Sequence, residues 1–216
     1  MLAWYDRHRR ELPWRAAPGA RPDPYRVWLS EIMLQQTTVV TVAPYFDRFV
    51  ARWPDVSALA AATLDAVLHQ WQGLGYYARA RNLHALARAV TDRGRDAGAA
   101  LPADAEALRA LPGIGAYTAG AVSSFAYERR AELVDTNVAR VLKRVFAPDV
   151  VLKSGAGQKR VWSIAREILP RTGRTTWTHN QALMELGALV CTARIAHCAS
   201  CPVSSVCATY ERASAD

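Results

Sequence analysis

Apolar residues recur every three or four positions in four stretches of the chain: Val27 to Val39, Leu64 to Trp71, Leu83 to Val90 and Val134 to Phe146. That is the period of amphipathic helices, and no segment alternates apolar and polar residues convincingly as a half-buried strand would. Breaks fall at Pro13, Arg21 to Pro24, Trp53-Pro54, Gly73 to Gly75, Gly94 to Pro102 and Ser154 to Gly157. Helical stretches joined by short breaks predict an all-α bundle, with Trp28 and Trp71 in its core.

The run Ala110 to Tyr127 spans 18 residues without a charge, a length that can signal a membrane span. Pro112, three glycines, two serines and a threonine make it too broken for that, so a buried helix after a glycine turn is expected. The N-terminus, MLAWYDRHRRELPW, has no apolar signal-peptide core. No membrane segment, a cytoplasmic location and reduced thiols are therefore expected.

With 216 residues, 51% of them apolar and 21% charged, the chain can bury an ordinary globular core in one domain or two closely packed ones. The net charge of +8 is uneven. Arg140 to Arg174 holds nine basic residues against Asp149 and Glu167, and Tyr76 to Arg95 holds five arginines against Asp92. Such faces suit a polyanion, but a solvated surface reads the same way.

All four cysteines lie near the C-terminus, at Cys191, Cys198, Cys201 and Cys207, spaced C-x6-C-x2-C-x5-C. Thiolates this close crosslink or share a metal, and a chain of this size has little need of disulfides. Structural zinc usually takes two short knuckles a dozen or more residues apart, whereas these four occupy one loop. An iron-sulfur cluster also takes four thiolates, so spacing leaves [4Fe-4S], zinc and disulfides open, in that order. The five histidines form no metal spacing with one another.

Two further patterns bear on chemistry. Leu108 to Val122 reads as a helix capped at Asp104, a Leu-Pro-Gly-x-Gly hairpin (Leu111, Gly113, Gly115) and a second helix. Such glycines let successive backbone N–H groups face one phosphate beside a helix N-terminus, although a plain helical turn has the same pattern. Asp135 follows 20 residues past Gly115 and opens the helix VARVLKRVF, where an ordinary N-cap would also stand.

Taken in order, WLSEIMLQQT (Trp28 to Thr37), GLGYYARARNLH (Gly73 to His84), LPGIGAYTAG, VDTNVARVL and the cysteine loop resemble the helix-hairpin-helix/endonuclease III superfamily of base-excision DNA glycosylases, in its MutY-type branch. The likeness covers essentially residues 1 to 210. It implies a two-lobed all-α fold with the active site between the lobes. The hairpin lobe is expected at about 24–130 and the other lobe at about 1–23 and 131–216. The chain stops soon after the cysteine loop, so no C-terminal 8-oxoguanine-reading domain is expected in it.

The function implied is hydrolysis of the N-glycosidic bond of adenine mispaired with 8-oxoguanine or guanine in double-stranded DNA, by a monomer holding a [4Fe-4S] cluster on the four cysteines. Adenine departs well only when protonated, and the sugar left behind is cationic, so an acid and a fixed negative charge are needed. The resemblance puts Glu31 in the first role, with a pKa raised by burial, and Asp135 in the second, with Asn137 orienting it or the substrate. Tyr117 stands where strand-cleaving relatives carry a Schiff-base lysine, which implies base excision without efficient strand cleavage.

Gln36 and Tyr76 match residues that enter the duplex when the base is extruded, although a helix cap and a core aromatic are the plain alternatives. Thr37, Leu111, Gly113, Gly115 and Arg194 complete the expected DNA-contacting set. Thr136 departs from the glycine common in adenine-excising members, which keeps a thymine or uracil mismatch glycosylase of the same superfamily in view. A non-catalytic iron-sulfur DNA-binding protein is the reading from another class.

Overall fold

The computed structural model describes residues 1–16, 20–94 and 99–215. Among the described residues twelve α-helices follow one another: α1 (Leu2–His8), α2 (Pro24–Met33), α3 (Val39–Arg52), α4 (Val56–Ala61), α5 (Leu64–Trp71), α6 (Ala78–Arg93), α7 (Ala105–Arg109), α8 (Ala116–Tyr127), α9 (Thr136–Phe146), α10 (Gly155–Glu167), α11 (Gly173–Leu189) and α12 (Ala208–Ala215). Among the described residues there is no strand, only an isolated bridge between Cys191 and Ala196. The all-α expectation holds; of the break expected at Gly94 to Pro102, residues 95–98 lie outside the described residues.

Short polar residues set the helix starts. Asp23, Thr38, Asp55, Thr63, Asp104, Asp135, Ser154 and Thr172 each accept a first-turn backbone N–H through the side chain. Each such cap stabilises its helix by about 1 kcal/mol.

Two expected helix boundaries are corrected. The stretch Val27 to Val39 is not one helix: α2 stops at Met33 and α3 starts at Val39, with Gln36 between them in the left-handed region at φ 58°. The stop has a physical cause, because the carbonyls of Ile32, Met33 and Gln35 are taken by the Arg79 guanidinium instead of by further turns of helix. Ser154 to Gly157 likewise opens α10 rather than interrupting it. A Cβ on Gly157 would meet the Val151 carbonyl oxygen at 2.0 Å, so glycine there serves a close approach.

The chain divides into two compact units, Glu11–Tyr127 and Met1–Arg10 with Glu128–Asp216. In the first, α2 packs on α8 and α4 on α6, around Trp28, Phe46, Phe49, Leu59, Trp71, Leu83, Leu86 and Leu108. Both predicted tryptophans are fully buried. Residues 11–16 and 20–23, expected with the C-terminal helices, cluster with this unit, residues 17–19 lying outside the described residues: Trp14 meets Phe46 edge-on at 5.4 Å, and Arg26 Nη2 donates to the Pro13 carbonyl at 3.0 Å. The uncharged run forms the hairpin and α8, buried from Thr118 to Ala126.

In the second unit, α9 packs on α10, α11 and α12, and α1 packs on α11. The α9 stripe Val138, Val141, Leu142 and Val145 supplies the buried face. No helix among the described residues is long and apolar enough to cross a membrane.

Candidate active site

Every residue of α2 from Val27 to Met33 is buried, and Glu31 sits among them at 7% exposure. A carboxyl held in so apolar a helix requires a polar partner. It has one across the unit: Tyr117, in the first turn of α8, donates from Oη to Glu31 Oε2 at 2.7 Å. Two residues 86 apart in sequence are thus joined where α2 packs on α8. Gln35 Nε2 adds a second tie to α8, 3.5 Å from Thr118 Oγ1.

The hairpin before α8 has the expected form, with one glycine demanded by the backbone. Gly113 lies at φ 74°, and a Cβ there would meet Asn82 Cβ at 2.7 Å, whereas Gly115 faces open space. The Leu111 side chain is buried, so only its backbone is available to a partner molecule. At a helix N-terminus the first-turn amides lack intrahelical acceptors, and here they follow an exposed, glycine-bearing turn suited to a phosphate.

Gln36 and Tyr76 are both exposed, Tyr76 at 60%, and both lie in the left-handed region, at φ 58° and 48°. Neither is a core residue, which sets aside the plain reading of Tyr76. Thr37, half-buried, accepts from Arg79 Nη2 at 3.1 Å and donates to the Gln35 carbonyl at 3.3 Å.

In the second unit, Asp135 is the N-cap of α9, with Oδ1 accepting from Val138 N at 2.6 Å and Oδ2 from Asn137 Nδ2 at 3.0 Å. The cap role is therefore real, and it holds a half-buried carboxylate in one orientation at a helix N-terminus, where negative charge is favoured. Asn137 Oδ1 accepts from Arg140 Nη2 at 2.8 Å, and the same nitrogen donates to the Gly187 carbonyl at 2.6 Å. Arg140 Nε reaches the Cys191 carbonyl at 2.8 Å, and Arg144 Nη1 reaches Cys191 Sγ at 3.2 Å.

Cys191, Cys198, Cys201 and Cys207 are all free thiols, and all four line one cavity of about 280 Å³ beside α9, α11 and α12. Burial pushes the Cys201 thiol up; a Val203 backbone N–H opposes this, and Cys191, Cys207 and Cys198 nearby add to it. Among the described residues no three His, Cys, Asp or Glu side chains converge closely enough for a single metal ion. Arg194 is exposed on the loop and lines the same cavity.

Residues 29–167 match the family model described as HhH-GPD superfamily base excision DNA repair protein. The chain belongs to this superfamily. It is 44% identical over 219 residues to the adenine DNA glycosylase of Mus musculus, covering 98% of this chain and 41% of that protein. With the adenine DNA glycosylase of Mycolicibacterium smegmatis it shares 44% over 204 residues, 94% of this chain and 66% of that protein. The chain thus spans from about two fifths to just under two thirds of these relatives. Among solved structures, a thermostable thymine-DNA glycosylase superposes with a TM-score of 0.82 at 30% identity, over 98% of this chain and 93% of that one.

Two residues of this HhH-GPD chain were read from sequence only as parts of basic faces. Arg79 is 7% exposed, and Arg140 spends its guanidinium inside its own unit. Spacing held the signal for both. Arg79 shares one stripe of α6 with the buried Leu83, Leu86 and Val90, and Arg140 lies one turn from both Asn137 and Arg144.

Proposed function

We propose that the chain is a monofunctional adenine DNA glycosylase, which hydrolyses the N-glycosidic bond of adenine opposite 8-oxoguanine or guanine in double-stranded DNA. The observation that carries this reading is the buried Glu31 carboxyl held by the Tyr117 hydroxyl at 2.7 Å, in a chain 44% identical to adenine DNA glycosylases. Glu31 protonates the extruded adenine, which leaves as a neutral base. The Asp135 carboxylate, fixed by Val138 N and Asn137, stabilises the cationic sugar until water, activated by Glu31, adds to C1′. The products are free adenine and an abasic site. Tyr117 has no amine for a Schiff base, so strand cleavage needs added alkali.

The hairpin of Leu111, Gly113 and Gly115 holds a phosphate, Gln36, Thr37 and Tyr76 enter or border the vacated duplex, and Arg194 contacts the backbone. Cys191, Cys198, Cys201 and Cys207 fit a [4Fe-4S] cluster: four free thiols round one cavity of about 280 Å³ suit a polynuclear group better than one tetrahedral ion. Bound there, the cluster would crosslink the loop. The enzyme acts as a monomer in the cytoplasm, on the nucleoid.

The test is a panel of duplexes with one A·8-oxoguanine, A·G, T·G or U·G pair, assayed for strand breaks with and without alkali. Alkali-dependent breaks in the adenine duplexes are expected. Preference for T·G or U·G would replace this reading by the mismatch branch, which Thr136 and the likeness to a thymine-DNA glycosylase favour. Binding without base release would replace it by a non-catalytic role.

A further inference from the structure

Gln36 and Tyr76 pose a physical problem that neither residue solves itself. Both are exposed non-glycine residues in the left-handed region. Such backbones are uncommon and persist where their surroundings over-determine them. One side chain touches the backbone on both sides of this problem, while Trp71 Nε1 adds a bond to the Gly75 carbonyl alone, at 3.0 Å. Arg79 Nη1 donates to the carbonyls of Ile32 at 3.1 Å, Met33 at 2.8 Å and Gln35 at 2.5 Å. Its Nη2 donates to Thr37 Oγ1 at 3.1 Å and to the carbonyls of Leu74 at 2.9 Å and Gly75 at 3.4 Å. Gln35 and Thr37 flank Gln36, and Gly75 directly precedes Tyr76. The guanidinium also lies over two rings, 5.3 Å from the Trp71 centroid and 5.5 Å from that of Tyr76.

Resting on the reading that Gln36 and Tyr76 enter the DNA, we propose that Arg79 is a positioning residue that couples their two loops into one rigid wedge. The coupling follows from desolvation. Arg79 is 7% exposed, so its charge depends on the acceptors around it. Displacing either loop strips the guanidinium of two of its six acceptors, Gln35 and Thr37 in one and Leu74 and Gly75 in the other, which penalises movement of one loop without the other. Only a planar fork reaches both sets; a lysine ammonium is a point donor on a flexible stem. Arg79 is thereby removed from the phosphate-binding charge and assigned to base extrusion.

Arg79→Lys keeps the charge and removes the fork. Hydrogen exchange in the free protein should accelerate about tenfold or more in peptides covering both 34–38 and 72–77, while 116–127 is unchanged. In single-turnover excision from an A·8-oxoguanine duplex, Tyr76→Ser should slow the wild type but add little to Arg79→Lys, because both remove the same wedge. Faster exchange in one loop alone or in neither, or rate losses that multiply independently, would overturn the coupling. If the wild type releases no base from any duplex, the glycosylase reading fails, and the exchange experiment alone decides the coupling. Should Arg79→Lys not fold, Thr37→Val removes one acceptor in the first loop. Faster exchange at 72–77 in that variant supports the coupling, and unchanged exchange there refutes it.

Discussion

Glu31 is held in an apolar helix with the Tyr117 hydroxyl donating to its carboxyl, and this sets what its replacement should do. Glu31→Gln keeps the volume and a Tyr117 partner but loses the transferable proton. Adenine release should fall by about 10²- to 10⁴-fold while binding to the same duplex is retained; full activity in this variant would remove Glu31 as the acid. A second, half-buried group acts on stability instead. Burial pushes the His179 imidazole from 6.5 down to about 4. The unfolded chain therefore takes up this proton before the folded one does, and stability contributed by the neutral ring is complete above pH 6.5 and lost as pH falls towards 4. Melting between pH 7 and pH 5 should show a loss of about 2 kcal/mol that disappears in His179→Leu. An unchanged pH dependence in that variant would assign the loss to other groups.

Among the helices, the contact of α9 with α11 carries the most consequence for the site. A Cβ on Gly187 would stand 2.7 Å from Asn137 Cβ and 3.1 Å from its carbonyl oxygen, so Gly187→Ala must move the residue that steadies Asp135. Overpacking of this kind costs about 1–3 kcal/mol, and base release should fall with it, more than in Gly155→Ala, where a Cβ meets open space. Equal behaviour of the two variants, in melting and in excision, would disconnect Gly187 from the site. Helices α2, α5, α6 and α9 were legible from periodicity, and the starts at Asp104 and Asp135 from their caps, whereas Ser154 read as a break although it caps α10. The end of α2 was not legible, because its cause is Arg79, more than forty residues later. The pairing of Glu31 with Tyr117 was equally hidden, since period says which face is buried and not what it meets. Resemblance supplied both residues separately; only packing of α2 on α8 supplies the bond.

Across the whole molecule the net charge of +8 overstates what a polyanion can use. Arg79 is buried, Arg140 and Arg144 bind the cysteine loop and α9, Arg166 pairs with Glu132 at 2.8 Å and Arg160 with Glu167 at 3.2 Å. Lys153, Lys159, Arg171 and Arg174 are exposed and stand outside these bonds and ion pairs. Two kinds of arginine should then separate in one experiment. Wild-type affinity for undamaged duplex should fall steeply and log-linearly with salt, by about 0.9 log units per tenfold salt for each phosphate neutralised. Arg140→Gln should leave that slope unchanged and slow excision, because its guanidinium steadies Asn137 and meets no phosphate. Lys153→Gln and Arg174→Gln should leave single-turnover excision intact at saturating protein, and any of them that touches the backbone should lower the slope by about 0.9. A slope that drops in Arg140→Gln would put that side chain on the DNA and break the assignment; a flat salt response in the wild type would remove phosphate contact as the source of affinity altogether.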